Sequence, residues 1–181
     1  MTYERSDKRK FETMLFSCIW MKGLLEYKKG SEVMQIRPVT AKSEDFRTLA
    51  ALLDAYYFTL VGDIQLKYAE PNRPENMNAL LVVYEGEKAI ACGAWKAIDA
   101  EMAELKRIYV LPECRRQGVA SAMIRALEDS IAATGRKKLI LETAVDTTSS
   151  HNLYLSLGYQ LRDYYGSPAG ADNCMCFHKE I

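Results

Sequence analysis

Hydrophobic and polar positions along the chain change period several times, and each change marks an element. Met34-Gln35-Ile36-Arg37-Pro38-Val39 alternates with period two, as a half-buried strand does. Phe46, Leu49, Leu52, Leu53, Tyr56, Tyr57 and Leu60 then recur at helical spacing and end near Gly62. Ser43 stands where an N-cap belongs, with Glu44 and Asp45 in the first turn. Asp63 to Asn78 carries Pro71 and Pro74 and reads as a short helix plus loop. Leu80 to Tyr84 is a continuous apolar strand, Glu85-Gly86-Glu87-Lys88 a hairpin turn, and Ala89 to Ile98 the returning strand. Gly93 leaves room at the middle of that strand.

The remaining pattern runs strand, turn, helix, strand, helix between Glu104 and Tyr159. Glu104-Leu105-Lys106-Arg107-Ile108-Tyr109-Val110 is strand-like, and Pro112 closes it because proline cannot continue a ladder. Arg115-Arg116-Gln117-Gly118-Val119-Ala120 is a basic, glycine-bearing turn that runs into a helix. Ala120, Met123, Ile124, Leu127 and Ile131 form that helix's apolar face, while Arg125, Glu128 and Asp129 are expected to point outward. Gly135 ends the helix, Lys138 to Glu142 makes the next strand, and Asn152 to Tyr159 follows. The tail from Asn173 to Ile181 reads as loop and closing strand. Three antiparallel strands followed by strand–helix–strand predict an α/β fold with a mixed, mostly antiparallel sheet flanked by helices.

Composition narrows the class. The chain has 181 residues, of which 49% are apolar and 27% charged, enough for one domain with a sizeable core. Formal net charge is zero, which argues against broad electrostatic binding to nucleic acid or an acidic membrane. The five cysteines (Cys18, Cys92, Cys114, Cys174 and Cys176) fit no zinc or redox spacing, and point to reduced thiols in a cytoplasmic protein. Cys114 beside Arg115 and Arg116 is read as an ordinary loop thiol. His151 and His178 stand alone, so no metal site is expected. Met14 to Leu25 is too short and too interrupted to span a membrane. Residues 1–33 read as an extension, helical through Phe16, Ile19, Trp20 and Leu24 or loosely ordered, whose apolar face suits packing on the domain or a homodimer.

The chemistry concentrates on the Arg115–Ala120 turn. Backbone N–H groups at a helix start lack partners and carry partial positive charge. Gly118 and the small Ala120 let a phosphate approach them. Alone, the Arg-x-x-Gly-x-Ala pattern is weak; its place between a strand and an amphipathic helix gives it meaning. The Glu104–Val110 strand, this turn and Leu153-Tyr154-x-x-x-Gly158-Tyr159, in that order and spacing, resemble the GNAT superfamily of acyl-CoA-dependent N-acyltransferases. The resemblance covers about residues 34–181, taken as the acetyltransferase domain.

The resemblance implies acetyl-CoA as cosubstrate. Its pyrophosphate would lie on Arg115, Arg116, Gln117, Gly118, Val119 and Ala120, and its pantetheine arm along Ile108, Tyr109 and Val110. A backbone N–H of that strand would polarise the thioester carbonyl. Tyr154 would be the general acid toward the leaving thiolate, and Glu104 the base toward the acceptor amine. Glu104 is equally readable as an ion-pair partner of Lys106, two residues along on the same face. In the family, the region Asp63–Asn78 arches over the acceptor, making Tyr56, Tyr57 and Tyr68 candidate walls. Thr147 replaces a common asparagine, Ser150 a common alanine, and Leu141-Glu142-Thr143 a common Leu-Asp-Thr. The implied activity is acetyl transfer to a primary amine of a small molecule or peptide. The alternative is a non-catalytic acyl-CoA-binding or sensing module. A nucleotide-binding α/β protein is disfavoured, since no Gly-Lys-Ser/Thr follows the turn.

Overall fold

The computed structural model describes residues 25–29, 32–165 and 172–181. Within them the backbone forms an eight-stranded sheet in the order β1-β2-β3-β4-β5-β6-β8-β7. The strands β1 (Leu25–Lys29), β2 (Glu32–Val39), β3 (Ala79–Glu85), β4 (Lys88–Ala97) and β5 (Met102–Val110) make an antiparallel meander. β6 (Lys138–Ala144) lies parallel to β5, β8 (Cys174–Glu180) antiparallel to β6, and β7 (Gln160–Arg162) antiparallel to β8.

The sheet therefore starts at Leu25 and not at Met34. Leu25 pairs with Ile36 and Lys29 with Glu32, so the end of the supposed extension is an edge strand. Its alternation is too short and too charged to stand out in sequence, and the backbone ladder with β2 decides the matter. The helical face expected at Phe16, Ile19, Trp20 and Leu24 lies outside the described residues.

Helices cover both faces. On one, α1 (Glu44–Val61) packs Phe46, Leu49, Ala50 and Leu53 onto Leu80, Val82, Tyr84, Cys92, Ala94 and Tyr109. Ser43 starts this helix by accepting the Phe46 N–H at 3.3 Å, and Gly62 turns it into a 3₁₀ segment, Gly62–Tyr68. By length and composition the run Glu44–Tyr68 would suffice to cross a membrane. Here its apolar stripe is seated on the sheet, and Asp54, midway along, pairs with Arg107 of β5.

On the other face, α2 (Val119–Ala132) buries Met123, Ile124, Leu127 and Ile131 against Leu81, Trp95, Leu105, Leu139 and Leu141. Each such side chain contributes roughly 1.5–3 kcal/mol by leaving water. Glu128 departs from its expected outward position. It accepts the Tyr159 hydroxyl at 2.8 Å and the Lys179 ammonium at 2.8 and 2.9 Å, because that flank of α2 meets β8. The last helix, α3 (Thr148–Ser156), follows β6 and supplies Tyr154 to the same core.

Two irregularities in β5 position the site. Pairing with β6 holds only from Met102↔Lys138 to Glu104↔Ile140; beyond Glu104 the strands part. Toward β4, the register slips between Cys92 and Ala94, opposite Lys106 to Tyr109. Arg107 takes the strain of this bulge, with φ of 61° in the left-handed region that side chains other than glycine avoid. Gly93 faces it. A Cβ there would lie 3.1 Å from Ile108 Cδ1, Leu127 Cδ1 and Met123 Sδ, so the close approach of α2 and β5 needs glycine.

Candidate active site

The parting of β5 and β6 opens a wedge that holds two adjoining cavities. The larger, about 480 Å³, runs from Ile108–Val110 of β5 past the Arg115–Ser121 turn to α3. The smaller, about 90 Å³, lies between the 3₁₀ segment, β5, Glu142–Ala144 of β6 and the start of β8. Leu53, Tyr57, Ile108 and Tyr154 line both, and so mark their junction.

The large cleft has the features an extended anionic ligand needs. Arg116 and Gly118 both adopt left-handed backbone conformations, φ 62° and 82°, an arrangement that lets successive N–H groups converge on an anion. Gly118 is the N-cap of α2, no side chain caps the first turn, and no acidic residue lies in it. The helix start is thus left to a ligand. Arg115 braces the turn: its Nε donates to the Val110 carbonyl at 3.0 Å, and its guanidinium lies 5.7 and 5.8 Å from the rings of Tyr109 and Tyr56. Beyond Glu104, β5 has no strand on its β6 side, so its edge there can pair with an amide-bearing chain. Gln117 belongs to the same turn, where the expected contact is through backbone N–H groups. Its side chain donates to the Glu113 carbonyl at 3.1 Å and does not line the cleft.

Tyr154 sits at the junction. It is 6% exposed, with its ring about equally close, 5.7 Å, to Tyr159 and Phe177. Burial pushes its phenol well above the ordinary tyrosine range, so it stays protonated at neutral pH. Its hydroxyl makes no hydrogen bond among the described residues and is available to donate. Beside it the Tyr57 hydroxyl lies 3.1 Å from Thr143 Oγ1, which lies 3.0 Å from Thr147 Oγ1. Thr147 donates onward to the Ala144 carbonyl at 2.6 Å, and the same carbonyl accepts from His151 Nε2 at 3.0 Å. The threonine found in place of the family's asparagine thus ties the end of β6 to α3.

Glu104 is placed differently. It is 6% exposed, lies 2.8 Å from the Lys106 ammonium, and accepts the Tyr165 hydroxyl at 2.9 Å. It lines neither cavity, whereas Lys106 lines the small one. The carboxylate in the small cavity is Glu142, which accepts the Tyr68 hydroxyl at 2.5 Å; Cys174 Sγ lies 3.6 Å from that same hydroxyl. Tyr68, expected from the resemblance as a candidate acceptor wall, lines this cavity; Glu142 stands out in the sequence only as a departure from Leu-Asp-Thr. Among the described residues, no group of three or more His, Cys, Asp or Glu converges as a metal site.

A sheet split at a bulged strand, with an uncapped helix start at the mouth of the split and a free phenol at its throat, defines an acyltransferase that takes its acyl group from coenzyme A. The sequence pattern of the Acetyltransferase (GNAT) family matches residues 46–159, and the chain belongs to that family. It is 30% identical over 131 residues to the uncharacterized N-acetyltransferase YjcF of Bacillus subtilis, covering 70% of this chain and 86% of that one. It is 33% identical over 99 residues to an IAA acetyltransferase of Azospirillum brasilense, covering 54% and 63%. A GNAT acetyltransferase from Elizabethkingia anophelis with acetyl-CoA bound shares the fold at TM-score 0.62 and 17% identity, over 82% of this chain and 98% of that one. PaiA N-acetyltransferase of Thermoplasma acidophilum, in complex with coenzyme A, does so at 0.64 and 15%, over 82% and 99%. The protein is an acyl-CoA-dependent acetyltransferase, and acetyl-CoA is its cosubstrate.

Proposed function

We propose that the protein transfers an acetyl group directly from acetyl-CoA to the primary amine of a small molecule, without a covalent enzyme intermediate. The observation that carries this is the position of Tyr154, protonated and without a hydrogen bond among the described residues, where the large and small cavities meet. A purely acyl-CoA-binding module would have no use for a free proton donor at that point. The small cavity holds several waters' worth of volume, which suits a small amine better than a peptide segment. Cytoplasmic residence fits the absence of disulfides at Cys92, Cys174 and Cys176 among the described residues.

In this reading the Arg115–Ala120 turn and α2's first N–H groups hold the pyrophosphate, and the edge from Ile108 to Val110 aligns the pantetheine arm. An N–H of that edge would meet the negative charge that develops on the carbonyl oxygen. The amine nitrogen attacks the thioester carbon and the C–S bond breaks. The phenolic proton of Tyr154 passes to the leaving thiolate. The amine's surplus proton leaves toward Glu104 through water, since Glu104 stands behind Lys106 and outside the cavity wall.

The test is a pH–rate profile for two variants with one good acceptor. Tyr154→Phe keeps the ring and its packing, so acetyl-CoA affinity should hold while kcat falls roughly 10²-fold at every pH. Glu104→Gln should recover toward wild type as pH rises, because more acceptor is already neutral. Wild-type kcat in Tyr154→Phe would reduce that tyrosine to packing, and parallel profiles would remove the case for separate acid and base.

A further inference from the structure

The charges around the small cavity do not balance. Three charged side chains line it: Lys106, Arg107 and Glu142. The two cations each have their own carboxylate, Glu104 at 2.8 Å from Lys106 and Asp54 bidentate on Arg107. Glu142 forms no ion pair among the described residues. Its partners are neutral donors, Tyr68 and Cys174, and burial keeps both protonated, the Cys174 thiol being pushed up to about 12. A partly buried carboxylate without a cation costs free energy that a bound ammonium would recover.

We infer that Glu142 forms a subsite for a second cationic group of the acceptor, so that the substrate is a small diamine-type molecule with one amine presented at Tyr154 and a protonated one held at Glu142. This rests on the proposed amine acetylation and narrows it. Tyr68 holds the Glu142 carboxylate in place from the arching 3₁₀ segment, which explains why a hydroxyl from that segment reaches across to β6. Glu142 on this account is a specificity residue. It binds the end of the acceptor that does not react.

The experiment compares putrescine and cadaverine with butylamine and pentylamine, their monoamine counterparts. Wild type should favour the diamines in kcat/KM by roughly ten- to a hundredfold, as a charge-assisted contact allows. Glu142→Gln, checked by thermal melt for intact folding, should raise the diamine KM by a similar factor with little change in kcat, and so remove most of the diamine preference over the monoamines. Equal loss of kcat on both amine classes would make Glu142 the proton acceptor and overturn the subsite; so would a wild type that does not distinguish the classes. Calorimetric titration of putrescine into the CoA-loaded protein reads the subsite without turnover. Binding lost in Glu142→Gln supports it even if neither amine class is acetylated, an outcome that would sink the proposed reaction alone. Absence of binding to wild type refutes it.

Discussion

The bulge at Arg107 should be held open by its ion pair with Asp54, and the cost of breaking that pair follows from the structure. Arg107 spends about 1–2 kcal/mol to sit in the left-handed region. Its side chain is 8% exposed, and both terminal nitrogens go to the Asp54 carboxylate, Nη2 at 2.7 Å from Oδ2. Its Nε is buried without a partner, so no second acceptor waits for the guanidinium. Asp54→Ala strands this charge and also frees the Gln65 amide that donates to Asp54 at 2.8 Å. Orphaning a fully buried partner costs about 3–5 kcal/mol. Asp54 is 42% exposed, which reduces the expected loss to about 2 kcal/mol. For a domain of this size that lowers Tm by about 4–8 °C. Arg107→Gly removes charge and strain together, so it should cost less than Asp54→Ala. Thermal unfolding of both variants, with CoA titrations to report whether β5 keeps its edge, decides the matter. An unchanged Tm in Asp54→Ala, or a larger loss in Arg107→Gly, refutes the reasoning.

Two further predictions concern packing and pH. Gly93→Ala puts a methyl 3.1 Å from three side-chain ends, so it should cost about 1–2 kcal/mol and, by displacing Ile108 at the junction of the cavities, alter acetyl-CoA KM; wild-type values for both would show that α2 yields freely. Asp129 has its carboxyl raised to about 6, chiefly by burial and then by Glu128. The folded state then binds more protons than the unfolded one between about pH 4 and 6, and stability falls as pH rises through that window. Asp129→Asn should flatten this part of a Tm-against-pH curve and gain up to about 1 kcal/mol at neutral pH after screening. A curve that keeps its slope in the variant would assign the effect elsewhere.

The elements and the Arg115–Ala120 turn were legible because local rules specify them. Ser43 caps, Gly118 supplies a left-handed N-cap, Pro112 stops a strand, and alternation or helical spacing marks each buried face. What escaped was non-local. β1 exists through its ladder to β2, and five residues with three charges carry too little pattern to announce it. The left-handed Arg107 follows no local signal, since arginine is an ordinary strand residue; its conformation comes from a register slip and a carboxylate 53 positions away. Glu128 was read as outward because its helix face ignores the strand that arrives later in the chain. Glu104 and Glu142 show the same limit. Both are glutamates on strands that part beyond Glu104, and only the divergence after Ile140 puts one in the cavity wall and the other behind Lys106.

The site is therefore built where one strand loses regular partners on both sides. A fully paired β5 would spend its N–H and C=O groups on neighbours and could offer nothing to a ligand. Beyond Glu104 the β6 side is released by divergence, and the β4 side is offset by the bulge opposite Gly93. Each release must be held by other contacts, and each has an identifiable one. Asp54 clamps Arg107 from α1, Arg115 occupies the Val110 carbonyl from the turn, and the Tyr57–Thr143–Thr147 chain fixes the far wall. The Arg115 bond ties the Arg115–Ala120 turn directly to the end of the unpaired edge. A ligand that occupies both turn and edge thus replaces contacts the sheet has given up. Binding should then stiffen β5, with slower amide exchange from Ile108 to Val110 in the CoA complex than in the free protein. Unaltered exchange there on CoA binding would mean that the edge is not where the ligand pairs.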